Sequence, residues 1–463
     1  MKRIVIAVLG LAAGCAVGPD YEPPKTETPE AWGEKADTAT ADLSRWWTLF
    51  HDEALNTLIE RAVKSNHDLR IAAGRVNEAR AQLGVVMGAL YPEVNAGASH
   101  SHNRISPNAQ PFRVSEPYQS RYSAGFDASW EIDLFGGVQR GYEAATADYE
   151  SWIENRRGVM IILLGDVARN YVGLRGNQLL IDVLRQNVAS ARDTVEITKA
   201  RLAAGVATSL DVSRAEALRA SAEASLPNVE AALKQTIHRL SVLVGTAPET
   251  LTAELLAPKP IPTAPPRVIV GLPSELLLRR PDVRQAERRL AFATAAIGVA
   301  TAELYPKISL TGAFGLDSLG SADFLKWESR AWSLGPSIRW PIFSGGRIRA
   351  QIAVQDAQQE QALASYEKSV LVALEDVENA LVAYLREGDR GRHLEEAASE
   401  NRKAVGLADD LYRKGLTSFI DVLDAQRALY VTESELARSR AEVTLDLVAL
   451  YKALGGGWES REP

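Results

Sequence analysis

The stretch that decides the fold spans residues 412–427 and reads YRKGLTSFIDVLDAQR. Gly415 separates two long segments of helical periodicity, and a glycine at such a point commonly ends a helix in the left-handed conformation. Two aspartates, Asp421 and Asp424, follow at a spacing of three, which places both carboxylates on one face of the next helix. The stretch is therefore predicted to be the tip of a helical hairpin.

This tip has an earlier copy at residues 201–212, RLAAGVATSLDV, where Gly205 and Asp211 match Gly415 and Asp421. Three further motifs occur twice at nearly constant spacing: Asp68–Arg70 and Asp282–Arg284, Leu90–Pro92 and Leu304–Pro306, and Gly136-Gly137 and Gly345-Gly346. One unit of helix, strand, strand, long helix, tip and long helix is thus predicted to be used twice.

The predicted boundaries follow from this repeat. The first repeat covers residues 46–257, with strands near 93–101 and 118–134 and a helical hairpin over 137–245. The second repeat covers 274–458, with strands near 307–315 and 332–343 and a hairpin over 345–454. A proline-rich linker, 258–273, joins the repeats, and residues 459–463 form a C-terminal tail.

The strands alternate strictly between apolar and polar residues, so each has one apolar and one wet face. A soluble sheet packed on a core would explain the alternation. A membrane barrel with its apolar face outward explains the aromatic residues as well. Four strands are too few to close a barrel, since the smallest have about eight. The barrel interpretation therefore predicts that several chains contribute strands.

The long helices carry apolar residues at every seventh position: Met160, Val167, Leu174, Ile181, Val188, Val195 and Leu202 in the first copy, and Val422, Leu429, Leu436, Val443 and Leu450 after the second tip. An unbroken seven-residue repeat imposes a left-handed supercoil. Heptads alone are equally typical of a coiled-coil rod, but a rod needs no amphipathic aromatic strands. Pro227 is expected to bend or interrupt the return helix of the first repeat.

Charge and hydropathy exclude two classes of protein. The formal net charge of −7 over 463 residues predicts no nucleic-acid partner, because nucleic-acid binding needs a basic stripe. The only long apolar run, Ile4–Ala13, is too short to span a bilayer as a helix. The protein is therefore not expected to be built from transmembrane helices.

The N-terminus is predicted to be a signal peptide over residues 1–14, with Lys2-Arg3 before the apolar run. The only cysteine, Cys15, follows Ala-Gly, as in a bacterial lipobox, so we expect it to carry a lipid anchor. The alternative is a cysteine within an ordinary cleaved signal, and Ala12 stands where a lipobox usually has leucine. Residues 15–45, rich in proline and polar groups, are expected to form an extended strap.

Several motifs together resemble one family. They are Val17–Tyr21 after the lipobox, Trp130–Gly136, Leu278–Arg284, Pro341–Gly346 and Leu454–Trp458. Together with the duplicated unit, they are similar to the TolC-like outer-membrane factors, in the NodT-type lipoprotein branch that serves resistance-nodulation-division (RND) efflux pumps. The resemblance implies an α+β membrane protein: a homotrimer with a twelve-stranded outer-membrane β-barrel, continued by a long periplasmic α-helical barrel. It also implies docking to a periplasmic adaptor and an inner-membrane RND transporter.

The resemblance also implies a periplasmic gate. Asp421 and Asp424 match the acidic positions that ring the aperture, and Tyr412 matches the tyrosine that ties the inner helix pair to its neighbour. Some members have an arginine where this sequence has Thr417, and Arg427 is a candidate for replacing that link by pairing differently. The alternative is that both aspartates are solvated acids at a helix N-terminus.

The tip turns are the second site that the resemblance implies. Gly205 and Thr208 at the first tip, and Gly415 and Thr417 at the second, match the turns that the adaptor's helical hairpin grips. Arg214 stands where Asp424 stands in the second copy, so the gate is predicted on the second hairpin only.

The predicted function is a passive gated duct in the outer membrane, the exit channel of a tripartite efflux pump. The alternatives are the exit channel of a type I protein secretion system and a lipid-anchored coiled-coil spacer. Paired carboxylates suit acid–base catalysis, but no nucleophile or phosphate-loop motif accompanies them. His100 and His102 lie on one strand face without a third ligand. We therefore expect no enzyme activity, no metal site and no cofactor beyond the lipid on Cys15.

Overall fold

The computed structural model describes residues 16–34, 42–106, 108, 117–263 and 270–459. The longer helices are α1 (Glu53–Ser65), α2 (His67–Gly88), α3 (Gly137–Ala203), α4 (Ser209–Leu243), α5 (Pro281–Ala302), α6 (Arg347–Arg413) and α7 (Phe419–Ala453). The strands are β1 (Glu93–Arg104), β2 (Tyr118–Ile132), β3 (Lys307–Ser318) and β4 (Arg330–Arg339). Short helical turns lie at Trp46–Phe50, Thr252–Leu255, Pro273–Glu275, Leu276–Arg279 and Trp327–Ser329. In the described part of the chain, no helix is both long enough and apolar enough to cross a membrane.

The duplication is visible in the lengths of the helices. The first helix of each hairpin, α3 or α6, has 67 residues, and the return helix, α4 or α7, has 35. Each element of the second hairpin begins 210 residues after its counterpart, at Arg347 instead of Gly137 and at Phe419 instead of Ser209. Any residue of the first hairpin can therefore be compared directly with the residue 210 positions later.

The chain divides into two compact units. The first comprises the described residues of 1–25 together with 75–153 and 285–367, and it contains all four strands. These form one antiparallel sheet in the order β1-β2-β3-β4. Residues directly opposite each other share a face, and the register pairs Val94 with Ala128, Ala128 with Gly312, and Gly312 with Leu334. All even-numbered residues of the sheet therefore lie on one face, and all odd-numbered residues lie on the other.

One indole contact marks the same position in each repeat. The Nε1 of Trp130 donates to the carbonyl of Leu90 at 3.1 Å, and the Nε1 of Trp340 donates to the carbonyl of Leu304 at 3.0 Å. Trp340 lies outside β4, which ends at Arg339 rather than at the predicted residue 343. Pro341 explains the early end, because proline cannot donate to a strand ladder and restricts the residue before it.

The other strand ends also differ from prediction. β1 continues three residues past the predicted 101, to Arg104, and β3 continues three past 315, to Ser318. β2 ends at Ile132, two residues before the predicted 134. Alternation weakens at both ends of a strand, whereas the ladder depends only on the backbone of the partner strand, so the sequence pattern defines these ends poorly.

The second unit comprises residues 26–74, 154–284 and 368–463 in their described parts, and it holds the main hydrophobic core. The rings of Trp46 and Tyr451 stack there at 5.4 Å, and Phe50 meets Tyr451 edge-on. Helix α4 runs without interruption through Pro227, so the predicted interruption is wrong. Pro227 is exposed, on the wall of a cavity of about 1570 Å³, where a carbonyl that loses its helical partner can bond to water instead.

Two of the motifs that carry the family resemblance pack against each other in this unit. The Nη1 of Arg280 donates to the carbonyl of Ala453 at 3.0 Å, and the indole of Trp458 donates to the carbonyl of Arg279 at 3.0 Å. Burial disfavours the charge of Arg280, but its bonds to Asp282 and Asp376 outweigh that effect and raise its pKa. The motif therefore fixes the end of α7 through a buried, paired guanidinium.

The predicted strap is pinned within each unit. In the first, Arg140 reaches Asp20 at 2.6 Å and the carbonyl of Val17 at 3.2 Å. Gly18 lies so close to Gly298 that a side chain at Gly18 would meet its backbone at 2.5 Å. In the second unit, the indole of Trp32 donates to the carbonyl of Gly271 at 2.8 Å. The described part of the strap is therefore held by specific contacts.

Candidate functional site: the hairpin tips

Each tip is formed by a glycine that ends a 67-residue helix. Gly205 and Gly415 have φ of +76° and +75°. The amides of the residues that follow them reach back to the carbonyls of Arg201 and Leu411, at 2.9 Å in both cases. This arrangement satisfies carbonyls that a helix end leaves free. An added side chain would meet nothing within 4 Å at either glycine, so backbone conformation alone requires glycine there.

Each return helix begins with a carboxylate that caps it. At the first tip, Asp211 Oδ2 accepts from the amide of Thr208 at 2.9 Å and from its hydroxyl at 2.7 Å. At the second, Asp421 Oδ2 accepts from the amide of Ser418 at 3.0 Å and from its hydroxyl at 2.7 Å. The predicted gate residue Asp421 therefore has the same local role as Asp211, and Asp211 was not predicted to belong to a gate.

Thr417 adds a bond that the first tip lacks. Its hydroxyl donates to Asp421 at 2.5 Å. This bond, followed by those from the Ser418 hydroxyl and amide, lowers the pKa of Asp421 below its ordinary value, because each bond favours the ionised form. Thr417 thus supports the cap of α7, and Asp421 stays ionised under neutral conditions.

Tyr412 is the buried centre of the second tip. It packs in a small cluster of side chains from both hairpins: Val195, Ala215, Leu218, Phe419, Val422 and Leu423. The guanidinium of Arg201, from the first hairpin, lies 4.3 Å above the Tyr412 ring, within cation–π range. The Tyr412 hydroxyl is buried and has no hydrogen-bond partner among the described residues. The tyrosine therefore joins the two hairpins through its ring and leaves its polar atom unused.

Asp424 and Arg427 are the solvent-facing pair of the tip. Their closest atoms are 3.5 Å apart, and the side chains are 66% and 54% exposed. An exposed pair with this separation contributes little stability. The structure thus brings Arg427 to Asp424 within one helix, and a role of Arg427 in a gate link stays a prediction.

Comparisons with known proteins agree with this duplicated architecture. A family model described as outer membrane efflux protein matches residues 58–246 and 272–456, one match in each repeat. The chain belongs to this family. Outer membrane efflux proteins are channels rather than enzymes, and this chain is accordingly an outer-membrane component of an efflux system.

Individual relatives of this outer membrane efflux protein cover nearly its whole length. It is 34% identical to nodulation protein T of Rhizobium leguminosarum bv. trifolii, over 97% of this chain and 96% of that protein. It is 33% identical to the solvent efflux pump outer membrane protein SrpC of Pseudomonas putida, over 99% and 98%. The solved structure of the outer-membrane channel OprN superposes with a TM-score of 0.91 at 37% identity, covering 96% of this chain and 100% of that one.

Exposed aliphatic side chains follow both tip glycines of this outer membrane efflux protein. Val206 and Leu416 are 60% and 71% exposed at matching positions. Leu210 and Ile420, also a matching pair, are 55% and 43% exposed. The two tips thus expose aliphatic side chains at equivalent positions.

Two contacts of the efflux protein's tip were missed by the sequence reasoning. The cation–π contact of Arg201 has no signal in the heptads, because Arg201 stands beside rather than at the apolar position. The amide of Gln426 donates to the hydroxyl of Thr194 at 2.8 Å, and both residues are buried. A polar residue one turn before the heptad position Leu429 was the only available hint. The predicted lipidation site, Cys15, lies outside the described residues.

Proposed function

We propose that three copies of this outer membrane efflux protein form one gated duct, with a twelve-stranded β-barrel in the outer membrane and an α-helical barrel in the periplasm. The sheet carries this proposal. Among the described residues, β1 and β4 each have one unpaired edge. The even-numbered face exposes Phe126, Phe314 and Trp332, each by more than half. Backbone groups at an open edge need partners inside a bilayer, and joining β1 of one copy to β4 of the next supplies them.

The test is assembly and conductance of the purified full-length protein. We expect a trimer that resists detergent and dissociates on heating, and discrete single-channel currents in planar bilayers. A monomer that produces no current would support the coiled-coil spacer instead and overturn the duct.

We propose that the second hairpin carries the periplasmic gate. Threefold symmetry would place Asp421 and Asp424 of each copy around one axis. Like charges crowded together repel, so such a ring attracts cations and opens readily once neighbouring links are released. Asp421 is held by its cap, whereas Asp424 is exposed and only loosely paired. Asp424 is therefore the more available of the two for binding a cation.

Block of the channel by Mg²⁺ tests the gate. We expect D424A to weaken the block strongly and the double variant D421A/D424A to abolish it. The matched control is R214A, which alters the corresponding position of the first hairpin. Unchanged block in the double variant, with normal trimers and currents, would exclude the acidic ring.

We propose that the tips dock a periplasmic adaptor that connects the duct to an inner-membrane RND transporter. Exposure of Val206, Leu416, Leu210 and Ile420 at equivalent places supports a repeated contact for a helical hairpin. V206D together with L416D should prevent co-purification of the adaptor, and A428D, an exposed site farther along α7, should not. Adaptor binding unaffected by the tip pair would contradict docking at these residues.

We further propose that Cys15 becomes the lipid-bearing N-terminal residue and anchors the chain to the outer membrane. Mass spectrometry of the N-terminal peptide should find acyl chains on Cys15, and C15S should lack them. An unmodified cysteine in the wild-type peptide would leave an ordinary cleaved signal as the explanation.

A further inference from the structure

The two faces of the sheet differ in the sign of their charge. The carboxylates of the four strands are Glu93, Asp127, Glu131 and Asp317, and every one of them is odd-numbered. They therefore lie on the face opposite to Phe126, Phe314 and Trp332. The ionisable groups of the even-numbered face, apart from its tyrosines, are Arg104, Arg330, His100 and His102. The apolar face thus carries basic side chains and no acid.

These basic groups lie at one end of the sheet. His100, His102 and Arg104 are in the last five residues of β1, where the chain leaves for the loop to β2. Arg330 is the first residue of β4, after the loop from β3. A charge on a lipid-facing strand is costly near the bilayer midplane and nearly free at its interface. In the barrel proposed above, the end of the sheet that carries the four residues would lie at the membrane interface, where such charges cost little.

Aromatic rings hold these side chains without neutralising them. The His100 ring stacks on Tyr122 at 4.4 Å, and His102 lies 2.9 Å from the Ser120 hydroxyl. The Arg104 guanidinium lies 5.9 Å from the centre of the Tyr118 ring. All three basic side chains are exposed.

At this end of the sheet, the arginines of the two faces differ in their partners. Arg330 lies 4.8 Å from the centre of the Trp327 ring and donates to the Trp327 carbonyl at 2.9 Å. Within the described strands and loops, neither Arg104 nor Arg330 forms an ion pair. Arg121 on the opposite face is, by contrast, paired with Asp317. The guanidiniums of the apolar face thus have donors free for an anion from outside the chain.

We propose that this end of the apolar face binds the phosphate groups of anionic lipids at the outer surface of the membrane. The proposal rests on the barrel described above, in which the even-numbered face meets lipid. A guanidinium presents paired donors that match phosphate geometry, and the adjacent rings suit the boundary between headgroup and acyl chain. Joining β1 of one copy to β4 of the next would place Arg104 and Arg330 on the same rim, so the sites repeat around the barrel.

The experiment measures how much diphosphoryl lipid A the full-length trimer retains in phosphatidylcholine nanodiscs. R104Q/R330Q removes the two guanidiniums, and R121Q/R339Q makes the same change in net charge on the opposite face. We expect R104Q/R330Q to weaken lipid A binding by about tenfold or more, since each basic residue near an anionic lipid surface contributes to binding. R121Q/R339Q should bind as the wild type does, and monophosphoryl lipid A should bind the wild type less tightly.

The experiment distinguishes failure of the lipid site from failure of the barrel. Equal binding by the two double variants, whether strong or weak, would overturn the proposal, as would competition by inorganic phosphate at the concentration of the lipid. If R104Q/R330Q fails to assemble, R104Q alone must still weaken binding more than R121Q alone. A wild-type protein that forms no conducting trimer refutes the barrel itself. A conducting trimer with no preference for lipid A refutes only the lipid site.

Discussion

The first and second hairpins share one backbone plan but not one set of side chains. Their helices have the same lengths, and both turn on a glycine with φ near +75°. Among the positions that differ across the 210-residue offset are Leu202 against Tyr412, Arg214 against Asp424, and Thr236 against Asp446. The two copies therefore share the tip turn and the carboxylate that caps the return helix, whereas Tyr412 and Asp424 occur in the second copy alone.

Replacing Tyr412 should produce the largest difference between the tips. Y412A removes a buried ring that packs against both hairpins, so we expect a loss of about 3–5 kcal/mol in local stability. L202A, at an exposed position, should cost less than about 1 kcal/mol. Hydrogen exchange of the amides at both tips measures these losses.

Y412F sharpens the same comparison. The Tyr412 hydroxyl has no partner among the described residues, so Y412F should preserve the tip's exchange rates to within about 0.5 kcal/mol. Exchange in Y412F as fast as in Y412A would contradict the unpartnered hydroxyl.

The tip glycines should respond alike. G205A and G415A each force a side chain into the left-handed region, at a cost of about 1–2 kcal/mol, and nothing nearby changes that cost. The same exchange experiment should show equal losses at the two tips. A markedly larger loss at Gly415 would mean that another copy of the chain packs against it.

The caps should also respond alike, with a smaller effect. T208A and S418A each remove one capping hydroxyl, and we expect about 1 kcal/mol of fraying in the first turn of α4 or α7. The pKa of Asp421 is lowered in the folded chain, so its contribution is present at neutral pH. That contribution is lost as pH falls below its ordinary value of 3.8. Fraying of α7 that does not increase in acid would contradict this assignment.

Asp446 should give the smallest effect, with the opposite dependence on pH. Burial, reinforced by Glu442 and Glu387 and opposed by Arg169, raises its pKa to about 6. Between about pH 4 and 6 the folded chain therefore binds more protons than the unfolded chain, and stability falls as pH rises through that window. D446T, which restores the residue of the first copy, should remove this fall and raise the melting temperature at pH 7 by about 1–2 °C. If the stability of the wild type and of D446T changed with pH in the same way, the raised pKa of Asp446 would be ruled out.

Most of the backbone was predictable from the sequence, because periodicity reports directly on which face of an element is apolar. The heptads from Met160 to Leu202 lie on α3, and the strand alternation lies on β1 to β4. The sequence did not predict that β4 ends as early as Arg339 or that α4 continues through Pro227. Both features depend on how the backbone accommodates a single proline. The division into domains stays a prediction.

The position of the tip was predictable from the sequence, but the contacts of its side chains were not. Spacing placed Asp421 and Asp424 on one helix face, yet it could not reveal that Asp421 caps α7 while Asp424 faces solvent. The packing of Arg201 on Tyr412 joins residues 211 positions apart, and no local pattern encodes such a pair. The gate, the docking surface and the lipidation of Cys15 remain predictions for the experiments above.

The contacts of the strap join the start of the chain to residues that are synthesised much later. Tyr21 bonds to Glu287, and Glu34 bonds to Arg386, so the partners of the strap lie 266 and 352 positions later in the chain. Contacts this distant in sequence form slowly, because long loops must close first. The contacts of the strap therefore need most of the second repeat to be present, and a chain that ends before residue 378 would lack the Glu378 carboxylate that accepts from the Gly33 amide. A fastened strap thus records that synthesis has passed well into the second repeat.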